Sequence, residues 1–321
     1  MELNLNQNAF LSEAVVLERP NKLSLKTLQM EEFKSDEVLV SVEHSGISTG
    51  TERLLYEGRM PDFPGMGYPL VPGYESIGTV EKSGSESDLL PGEKVFIPGA
   101  RCFGEFKSLF GGTASKLVVS CKRVCKVPGD TNEEGTLLAL AATAQHIFST
   151  STEYKPDIIV GHGALGRLIA KLAVLNGAKP IVVEANKERR IGNFGYEVIA
   201  PTESKNLIGD YVVDASGDSN QLNNLIKFLK PNGEIVLAGF YDKPLSFDFA
   251  PAFLREAKIR VSAQWTPNDL KEVCRLFTTK KLDFKDLISH RVSVGSISDA
   301  YEIAFNDSSC LKMIINWKGL S

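Results

Sequence analysis

Residues 157–186 read DIIVGHGALGRLIAKLAVLNGAKPIVVEAN, and this stretch decides the fold. A short apolar run is followed at once by G-x-G-x-x-G, formed by Gly161, Gly163 and Gly166. A helix-forming run with one apolar face comes next, and a second apolar run ends on Glu184. This order predicts a strand, a turn, a helix and a parallel strand, joined as a right-handed βαβ unit.

Each glycine of the motif has a separate role when such a unit binds a dinucleotide. Gly161 permits the tight turn, Gly163 lets a pyrophosphate approach the backbone, and Gly166 lets the helix pack on the strand. The helix begins around Ala164 and Leu165, and this end offers free N–H groups and a positive dipole to the phosphates. We therefore predict that these five residues bind a dinucleotide.

The acid that ends the second strand points to one cofactor. The carboxylate of Glu184 is expected to accept hydrogen bonds from the ribose 2′-OH and to repel a 2′-phosphate, so NAD is predicted. Lys187, Arg189 and Arg190 follow it and leave NADP open, because such cations can meet a phosphate.

The prediction of a cofactor cleft also includes two residues of a later strand. Asp214 and Ser216, at the end of the later strand YVVDAS, are predicted to line the cofactor cleft. His162, between the first two glycines, is expected to be a loop residue that faces solvent and takes no part in catalysis.

The chain has two regions with different patterns of strand-like and helix-like runs, which predict two domains. Up to about residue 130 it contains short β-like runs separated by turn residues, and these predict a β-rich unit. They are SEAVVLE, EVLVSVE, SIGTVEK, EKVFIPG and SKLVVS. Residues 130–268 instead alternate strands with helices, among them SNQLNNLIKFLKPNG, and so predict a parallel sheet. The tail from PNDLKEVCRLF onward is expected to return to the first domain.

The composition argues against several partners. The 321 residues carry a net charge of −4, which argues against nucleic acid or an anionic membrane surface as partner. No apolar run reaches the length of about 18 residues that a membrane span needs. The N-terminal residues MELNLNQNAFLSEAVVLERP lack the basic and apolar regions of a secretory signal, so we expect a cytoplasmic protein.

Two segments of the β-rich part indicate a family. VEHSGISTGTE at 42–52 is similar to the Val-x-x-x-Gly-x-Cys segment of the medium-chain dehydrogenases, and VPGYESIGTV at 71–80 to their Pro-Gly-His-Glu-x-x-Gly-x-Val segment. The chain resembles this family over nearly its whole length. The resemblance implies an α/β fold with a β-rich GroES-like catalytic domain at 1–129 and 269–321. It also implies a Rossmann domain with a doubly wound parallel sheet at 130–268, and a homo-oligomer.

Compared with the zinc-dependent members of this family, the sequence lacks the residues that bind zinc. In zinc members of the family the Cys and the His hold catalytic zinc, and this sequence has Ser48 and Tyr74 there. The third ligand usually lies near AATAQH, where Ala141 and Ala142 cannot bind metal. The four-cysteine lobe for structural zinc would fall in GARCFGEFKSLFGG, which contains Cys102 alone. Because zinc takes Cys, His or carboxylate ligands, we predict no metal.

Longer gapless stretches narrow the resemblance to one branch of the family. They are YEGRMPDFPGMGYPLVPGYESIG, FIPGARCFGEFKSLFGGTASKLVV, VLAGFY, PAFLREAKIRV and SCLKMIINW. Members of this branch use NAD to oxidise the 3-(1-hydroxyethyl) side chain of a chlorophyllide-type tetrapyrrole to 3-acetyl in bacteriochlorophyll synthesis. The resemblance alone implies this substrate, because composition and spacing do not indicate it.

Without zinc, hydrogen bonds must stabilise the developing alkoxide of the substrate. Tyr74, Ser48 and Thr49 lie at the family's active-site positions, so Tyr74 is predicted to hydrogen-bond the substrate oxygen, assisted by Ser48 or Thr49. To act as a base, Tyr74 would need a nearby positive charge such as Arg53. The alternative is that Tyr74 only fills the volume of the missing metal. His146 is a candidate proton relay, and the alternative for it is a hydrogen-bonded core histidine.

The loop LLYEGRMPDFPGMGYPL is the predicted contact for the pigment. A flat apolar macrocycle would stack on its Tyr56, Phe63 and Met66, although such a loop could equally pack on a neighbouring subunit. Arg59 or Arg101 is predicted to pair with the propionate carboxylate of the pigment.

Two other functions remain open from the sequence. A quinone- or enone-reducing member of the family also lacks zinc and usually prefers NADPH, which Glu184 disfavours. A non-catalytic pigment- or nucleotide-binding protein on the same scaffold would bind its ligands without turnover.

Overall fold

The structure is a computed structural model that describes residues 10–62, 64–107, 110–150, 155–241, 243–262 and 264–319. Its strands are β1 (Leu11–Arg19), β2 (Lys22–Gln29), β3 (Glu37–Ile47), β4 (Ser76–Ser83), β5 (Lys94–Ile97), β6 (Lys116–Ser120), β7 (Cys125–Lys126), β8 (Ile158–Val160), β9 (Ile181–Val183), β10 (Glu197–Ile199), β11 (Gly209–Asp214), β12 (Leu229–Leu237), β13 (Lys258–Val261), β14 (His290–Ser293) and β15 (Met313–Asn316). Its α-helices are α1 (Thr51–Glu57), α2 (Leu138–Ser149), α3 (Ala164–Leu175), α4 (Leu222–Phe228), α5 (Phe249–Phe253), α6 (Pro267–Thr278) and α7 (Ile297–Asn306).

One compact unit, Leu140–Asp283, is built on a six-stranded parallel sheet. The strand order is β10-β9-β8-β11-β12-β13, so the direction of strand addition reverses between β8 and β11. In such sheets the ligand crevice lies at the carboxyl ends of the strands, at this reversal. The predicted α/β fold with a Rossmann sheet is confirmed.

The other unit combines the described residues up to Ala139 with those from Phe284 onward. Its main sheet has the order β14-β15-β3-β4-β5-β7, with β6 paired to β3, and β1 and β2 form a separate hairpin. The chain's last strand, β15, runs antiparallel to β3, so the C-terminal segment returns to this unit. Its core is formed by alternate apolar residues of the sheet together with α7.

Both boundaries between the two units lie later in the chain than expected: the unit with the parallel sheet covers Leu140–Asp283, whereas 130–268 was predicted. The 3₁₀ turn Glu133–Leu137 packs against β3 and β4, so it stays with the β-rich unit. At the other end, α6 is tied to α2 because the Asp269 carboxylate accepts hydrogen bonds from His146 Nδ1 at 2.8 Å and Ser149 Oγ at 2.5 Å.

One predicted helix was wrong in its second half. The run SNQLNNLIKFLKPNG is helical only as far as Phe228, and β12 begins at Leu229. Asn232 has a φ of 65°, which an α-helix does not allow, and its N–H donates to the carbonyl of Arg255 at 2.6 Å. Among the described helices, none is both long and apolar enough to cross a membrane.

Candidate active site

The hydroxyl groups of Ser48 and Tyr74 meet at one end of the β-rich sheet. Ser48 directly follows β3, and Tyr74 lies just before β4. Because these strands are antiparallel, with Ser45 opposite Ser76, the end of one lies beside the start of the other. Tyr74 Oη donates a hydrogen bond to Ser48 Oγ at 2.7 Å. Thr49 comes next in the turn, and its side chain is exposed.

The surroundings of Tyr74 keep it a neutral phenol. Burial first, and then the negative charge of Glu75, raise the pKa of Tyr74, while hydrogen bonds with Ser48 and Thr51 offset this only in part. The ring packs against Phe110 with centroids 4.8 Å apart. Arg53, suggested by the sequence as an activating charge, instead pairs with Glu57 at 2.7 Å. Tyr74 is therefore equipped to donate a hydrogen bond, and the charges around it disfavour a role as base.

A buried carboxyl group that sequence reasoning missed holds the backbone of this turn. Glu52 Oε1 accepts a hydrogen bond from the backbone N–H of Ser48 at 3.0 Å, and Oε2 accepts one from the hydroxyl of Tyr301 at 2.7 Å. Glu52 is completely buried, and burial raises its pKa to about 7 against the opposing effect of these hydrogen bonds. Nothing in the sequence signals this contact, because Tyr301 belongs to α7, 249 residues further along.

A buried ion pair lies in the same region. Glu75 pairs with Lys312, and both side chains are almost completely buried. Gly46 is required beside it, because a Cβ there would come within 2.4 Å of Glu75 Oε2. The pair joins the start of β4 to the segment before β15, and so fixes the base of the Ser48–Tyr74 turn.

Zinc does not fit the donors of this site. Ser48 and Tyr74 offer neutral hydroxyl groups, whereas zinc in proteins takes thiolate, imidazole or carboxylate ligands. Within the described ranges, no group of three or more His, Cys, Asp or Glu residues is arranged to hold a metal ion.

The predicted pigment residues have different surroundings in the structure. Tyr56 and Met66 pack against a small apolar cluster of Leu17, Leu54, Leu55, Met60 and Leu70. Arg59 pairs with Glu57, so its charge is already partly balanced. Arg101 has an exposed side chain, and Phe63 lies outside the described residues.

The predicted dinucleotide motif forms a tight turn at the carboxyl ends of β8 and β11. Gly161 has a φ of 98° and lies against Ser216, whose backbone nitrogen would be 2.9 Å from a Cβ on Gly161. A Cβ on Gly166 would come within 2.0 Å of the Gly161 carbonyl oxygen. At Gly163 the nearest atom would be 3.7 Å away, an Arg189 nitrogen, so this position stays open. Ala164 begins α3 directly afterwards, followed by Leu165.

Glu184 is bound into this turn. Its two carboxylate oxygens accept hydrogen bonds from the backbone N–H groups of His162 and Asn186, both at 2.6 Å. This acid, which directly follows β9, is thereby held beside the glycine turn that follows β8. Each carboxylate oxygen has a second lone pair, so Glu184 can also accept a ribose hydroxyl.

The expectation that His162 faces solvent was wrong, because its side chain is completely buried. Its Nδ1 lies 2.7 Å from the Arg189 carbonyl oxygen and must therefore carry the proton, while Nε2 lies 3.0 Å from the hydroxyl of Tyr196. The ring packs edge-on against Phe194, with centroids 4.6 Å apart. Burial lowers the pKa of His162 to about 4. A neutral histidine thus ties the glycine turn to the Arg189 segment.

Two further predicted residues have structural partners. The buried carboxylate of Asp214 accepts hydrogen bonds from the Ser216 N–H at 2.9 Å and from the Tyr241 hydroxyl at 2.5 Å. Burial raises the pKa of Asp214. His146 is bound to Asp269, which gives it a role in the contact between α2 and α6.

The sequence matches two family models. Residues 34–129 match the alcohol dehydrogenase GroES-like domain, and residues 164–279 match the zinc-binding dehydrogenase model. The chain is 44% identical over 311 residues to 2-desacetyl-2-hydroxyethyl bacteriochlorophyllide A dehydrogenase of Cereibacter sphaeroides, covering 95% of this chain and 98% of the relative. The protein of the same name from Rhodobacter capsulatus is 44% identical over 309 residues, covering 96% and 98%.

Solved structures share the fold at lower sequence identity. An Escherichia coli alcohol dehydrogenase complexed with NADH has a TM-score of 0.82 at 20% identity, covering 95% of this chain and 99% of its own. A Sinorhizobium meliloti dehydrogenase bound to NADP has a TM-score of 0.79 at 21% identity, covering 96% and 99%. At such identities the likeness concerns the fold, and it leaves the choice between NAD and NADP open.

Proposed function

Because the chain belongs to the medium-chain dehydrogenase/reductase family, we propose that it is a cytoplasmic, NAD-dependent enzyme that oxidises the hydroxyethyl side chain of a chlorophyllide-type tetrapyrrole to acetyl without zinc. The observation that carries the proposal is 44% identity across 98% of a relative named as a hydroxyethyl bacteriochlorophyllide dehydrogenase. The site adds a physical reason, since hydroxyl groups of Ser48 and Tyr74 stand where the zinc-dependent members have their ligands.

When bound at the glycine turn, NAD would supply the acceptor for the hydride of the carbinol carbon, and the hydroxyl proton of the substrate would leave to solvent. The part played by the chain is to stabilise negative charge on the substrate oxygen as that hydride leaves. The raised pKa of Tyr74 favours the neutral phenol, so its single O–H can turn from Ser48 Oγ to this oxygen when the substrate binds. The Ser48 hydroxyl can then donate to Tyr74 Oη and keep the phenol oriented. A single preorganised donor of this kind typically stabilises a transition state by about 2.7–4 kcal/mol.

The residues around the glycine turn fit a dinucleotide. Gly163 leaves its backbone open to a pyrophosphate, and α3 begins there without a side-chain cap. Glu184, held by two backbone donors, supports NAD, because its fixed negative charge repels a 2′-phosphate. Asp214 and Ser216 would contribute to the same cleft through the turn that follows β11.

The proposal assigns the pigment contacts to four of the predicted residues. Tyr56 and Met66 offer ring and thioether surfaces next to α1, the helix that follows the Ser48 turn. Arg101 is the better candidate for the propionate, because Glu57 already balances Arg59. Phe63, from the segment LLYEGRMPDFPGMGYPL, stays a proposed contact for the pigment.

A homo-oligomer is also proposed, and the edge of the parallel sheet supports it. β13 is the last strand of the sheet, and its Val261 has 73% of its surface exposed. The neighbouring α5 region exposes Phe249, Phe253 and Leu254 at 66–75%. An exposed apolar edge strand is a ready site for pairing with a second copy.

A spectral assay tests the function. Chelator-treated protein is mixed with a 3-hydroxyethyl chlorophyllide and NAD, and the red absorption band of the pigment is followed. A red shift that requires NAD and survives chelation is expected. Pigment binding without any shift, with either NAD or NADP, would favour a binding protein instead. A shift abolished by chelation would remove the zinc-independent mechanism, and NADPH-driven reduction of quinones would favour the reductase.

A further inference from the structure

Glu52 is a completely buried carboxyl group that the proposed mechanism does not use. It belongs to the first turn of α1, yet its side chain turns back to the backbone N–H of Ser48 at 3.0 Å. Its second oxygen accepts the hydroxyl of Tyr301, from α7, at 2.7 Å. Both oxygens are therefore occupied by donors that belong to different segments of the chain.

Only the ionised form of Glu52 satisfies both contacts as they stand. A carboxylate accepts at both oxygens, whereas a protonated carboxyl group must itself donate through one of them. Both neighbours are donors here, and the backbone N–H of Ser48 cannot reverse its role. Protonation of Glu52 on Oε2 therefore forces the Tyr301 hydroxyl to reverse and accept, and it leaves the Ser48 N–H with a weaker, neutral acceptor.

The charges around Glu52 come from each segment packed against it. Glu75, beside Tyr74, disfavours the ionised form, and Lys312, before β15, favours it. Tyr301 faces it as a neutral phenol, since burial and the charge of Glu52 raise the pKa of Tyr301 well above its usual range. The influence reaches the candidate active site, because the negative charge of Glu52 also acts on Tyr74.

We propose that Glu52 is a positioning residue: its ionised form holds the Ser48 turn, and with it the paired hydroxyl groups of Ser48 and Tyr74, in the geometry that supports oxidation. The proposal rests on the function inferred above. It explains why an acid is buried where an apolar residue would pack at lower cost. It also places a group that titrates near neutrality directly behind the hydroxyl pair.

The first test is the pH dependence of kcat for pigment oxidation. For the unaltered enzyme, kcat is expected to rise as Glu52 ionises, around neutral pH. In Glu52→Gln the amide keeps an acceptor for Ser48 but cannot ionise. In this variant we expect the rise of kcat with pH, the acid limb of the profile, to disappear. The kcat at high pH should be about ten- to hundredfold lower than in the unaltered enzyme, and KM should stay within about twofold of its value.

Tyr301→Phe is the matched variant, because it removes the donor to Glu52 and keeps the ring contacts with Tyr56 and Phe305. Since that hydrogen bond favours the ionised carboxylate, its loss should move the limb to higher pH and leave the plateau kcat close to that of the unaltered enzyme. A merely structural role would lower kcat at every pH alike. An unchanged limb in either variant would overturn the proposal.

A second readout does not require turnover. With ¹³Cζ-labelled tyrosine, the resonance of Tyr74, assigned through Tyr74→Phe, should shift with pH around neutrality and should not shift in Glu52→Gln. If no pigment is oxidised but this shift is present, the proposed function fails and the coupling of Glu52 to Tyr74 stands. If oxidation occurs and the Tyr74 resonance does not follow Glu52, the positioning role is wrong.

Discussion

Tyr74 donates its hydroxyl to Ser48 Oγ across 2.7 Å, at the positions that resemble those of a histidine and a cysteine in zinc-dependent relatives. In the proposed mechanism, replacing two ligands by two hydroxyl groups changes the chemistry from Lewis-acid polarisation to hydrogen-bond donation. The raised pKa of Tyr74 suits this role, because a phenol that stays protonated remains a donor throughout the reaction.

Tyr74→Phe should lower kcat about 10²- to 10³-fold, as expected for the loss of one preorganised donor. Its ring contact with Phe110 is retained, so the free energy of unfolding should change by only about 1 kcal/mol. Steady-state kinetics and urea unfolding measure the two effects. Because the hydroxyl groups act as a unit, Ser48→Ala combined with Tyr74→Phe should cost less than the sum of the single changes. An unaltered kcat in Tyr74→Phe would leave the residue as a mere filler of space.

Glu184→Gln should shift cofactor preference toward NADP. The amide keeps one acceptor oxygen but loses the charge that repels a 2′-phosphate, so the ratio of kcat/KM for NADP to that for NAD should rise about tenfold or more. Glu188→Gln is the control, because it removes the same charge from an exposed position four residues later. If both variants change the ratio equally, the effect comes from net charge and not from Glu184.

Local signals explain why the β8–α3–β9 unit could be predicted. Its three glycines have steric reasons within the same turn: a Cβ on Gly166 would strike the Gly161 carbonyl only five residues away. The strand-to-helix order follows from apolar periodicity over the same short stretch. Such constraints are complete within about 30 residues and can therefore be read from sequence.

The partners of the buried polar groups could not be predicted from the sequence pattern. Glu52 meets Tyr301, and Glu75 meets Lys312, each across more than 230 residues of chain. No periodicity encodes which distant donor will satisfy a buried acid. The strand β2, KLSLKTLQ, was missed for a related reason: only one of its eight residues is fully buried, and β1 defines it by pairing.

His162 gives the stability of the protein a definite dependence on pH. Its pKa is about 4 in the folded protein and about 6.5 when unfolded, so its contribution is complete above the unfolded value and is lost as the pH falls toward 4. The loss should amount to on the order of 3 kcal/mol.

Urea unfolding of His162→Asn should lack this part of the acid-side slope, whereas His290→Asn, at a half-buried position on β14, should retain it. Equal slopes for the unaltered protein and His162→Asn would mean that His162 is not held neutral by the Arg189 carbonyl and Tyr196.

The edge of the parallel sheet determines the expected assembly. Val261→Lys places a charge on the exposed strand β13, where pairing with a second copy would bury it without a partner. Sedimentation velocity should therefore show the oligomer shifting to monomer, with the far-ultraviolet circular dichroism unchanged. Leu175→Lys, which adds the same charge to the exposed end of α3, should leave the assembly intact. If Val261→Lys sediments like the unaltered protein, copies of the chain do not associate through this edge, and the exposed α5 residues must be tested in its place.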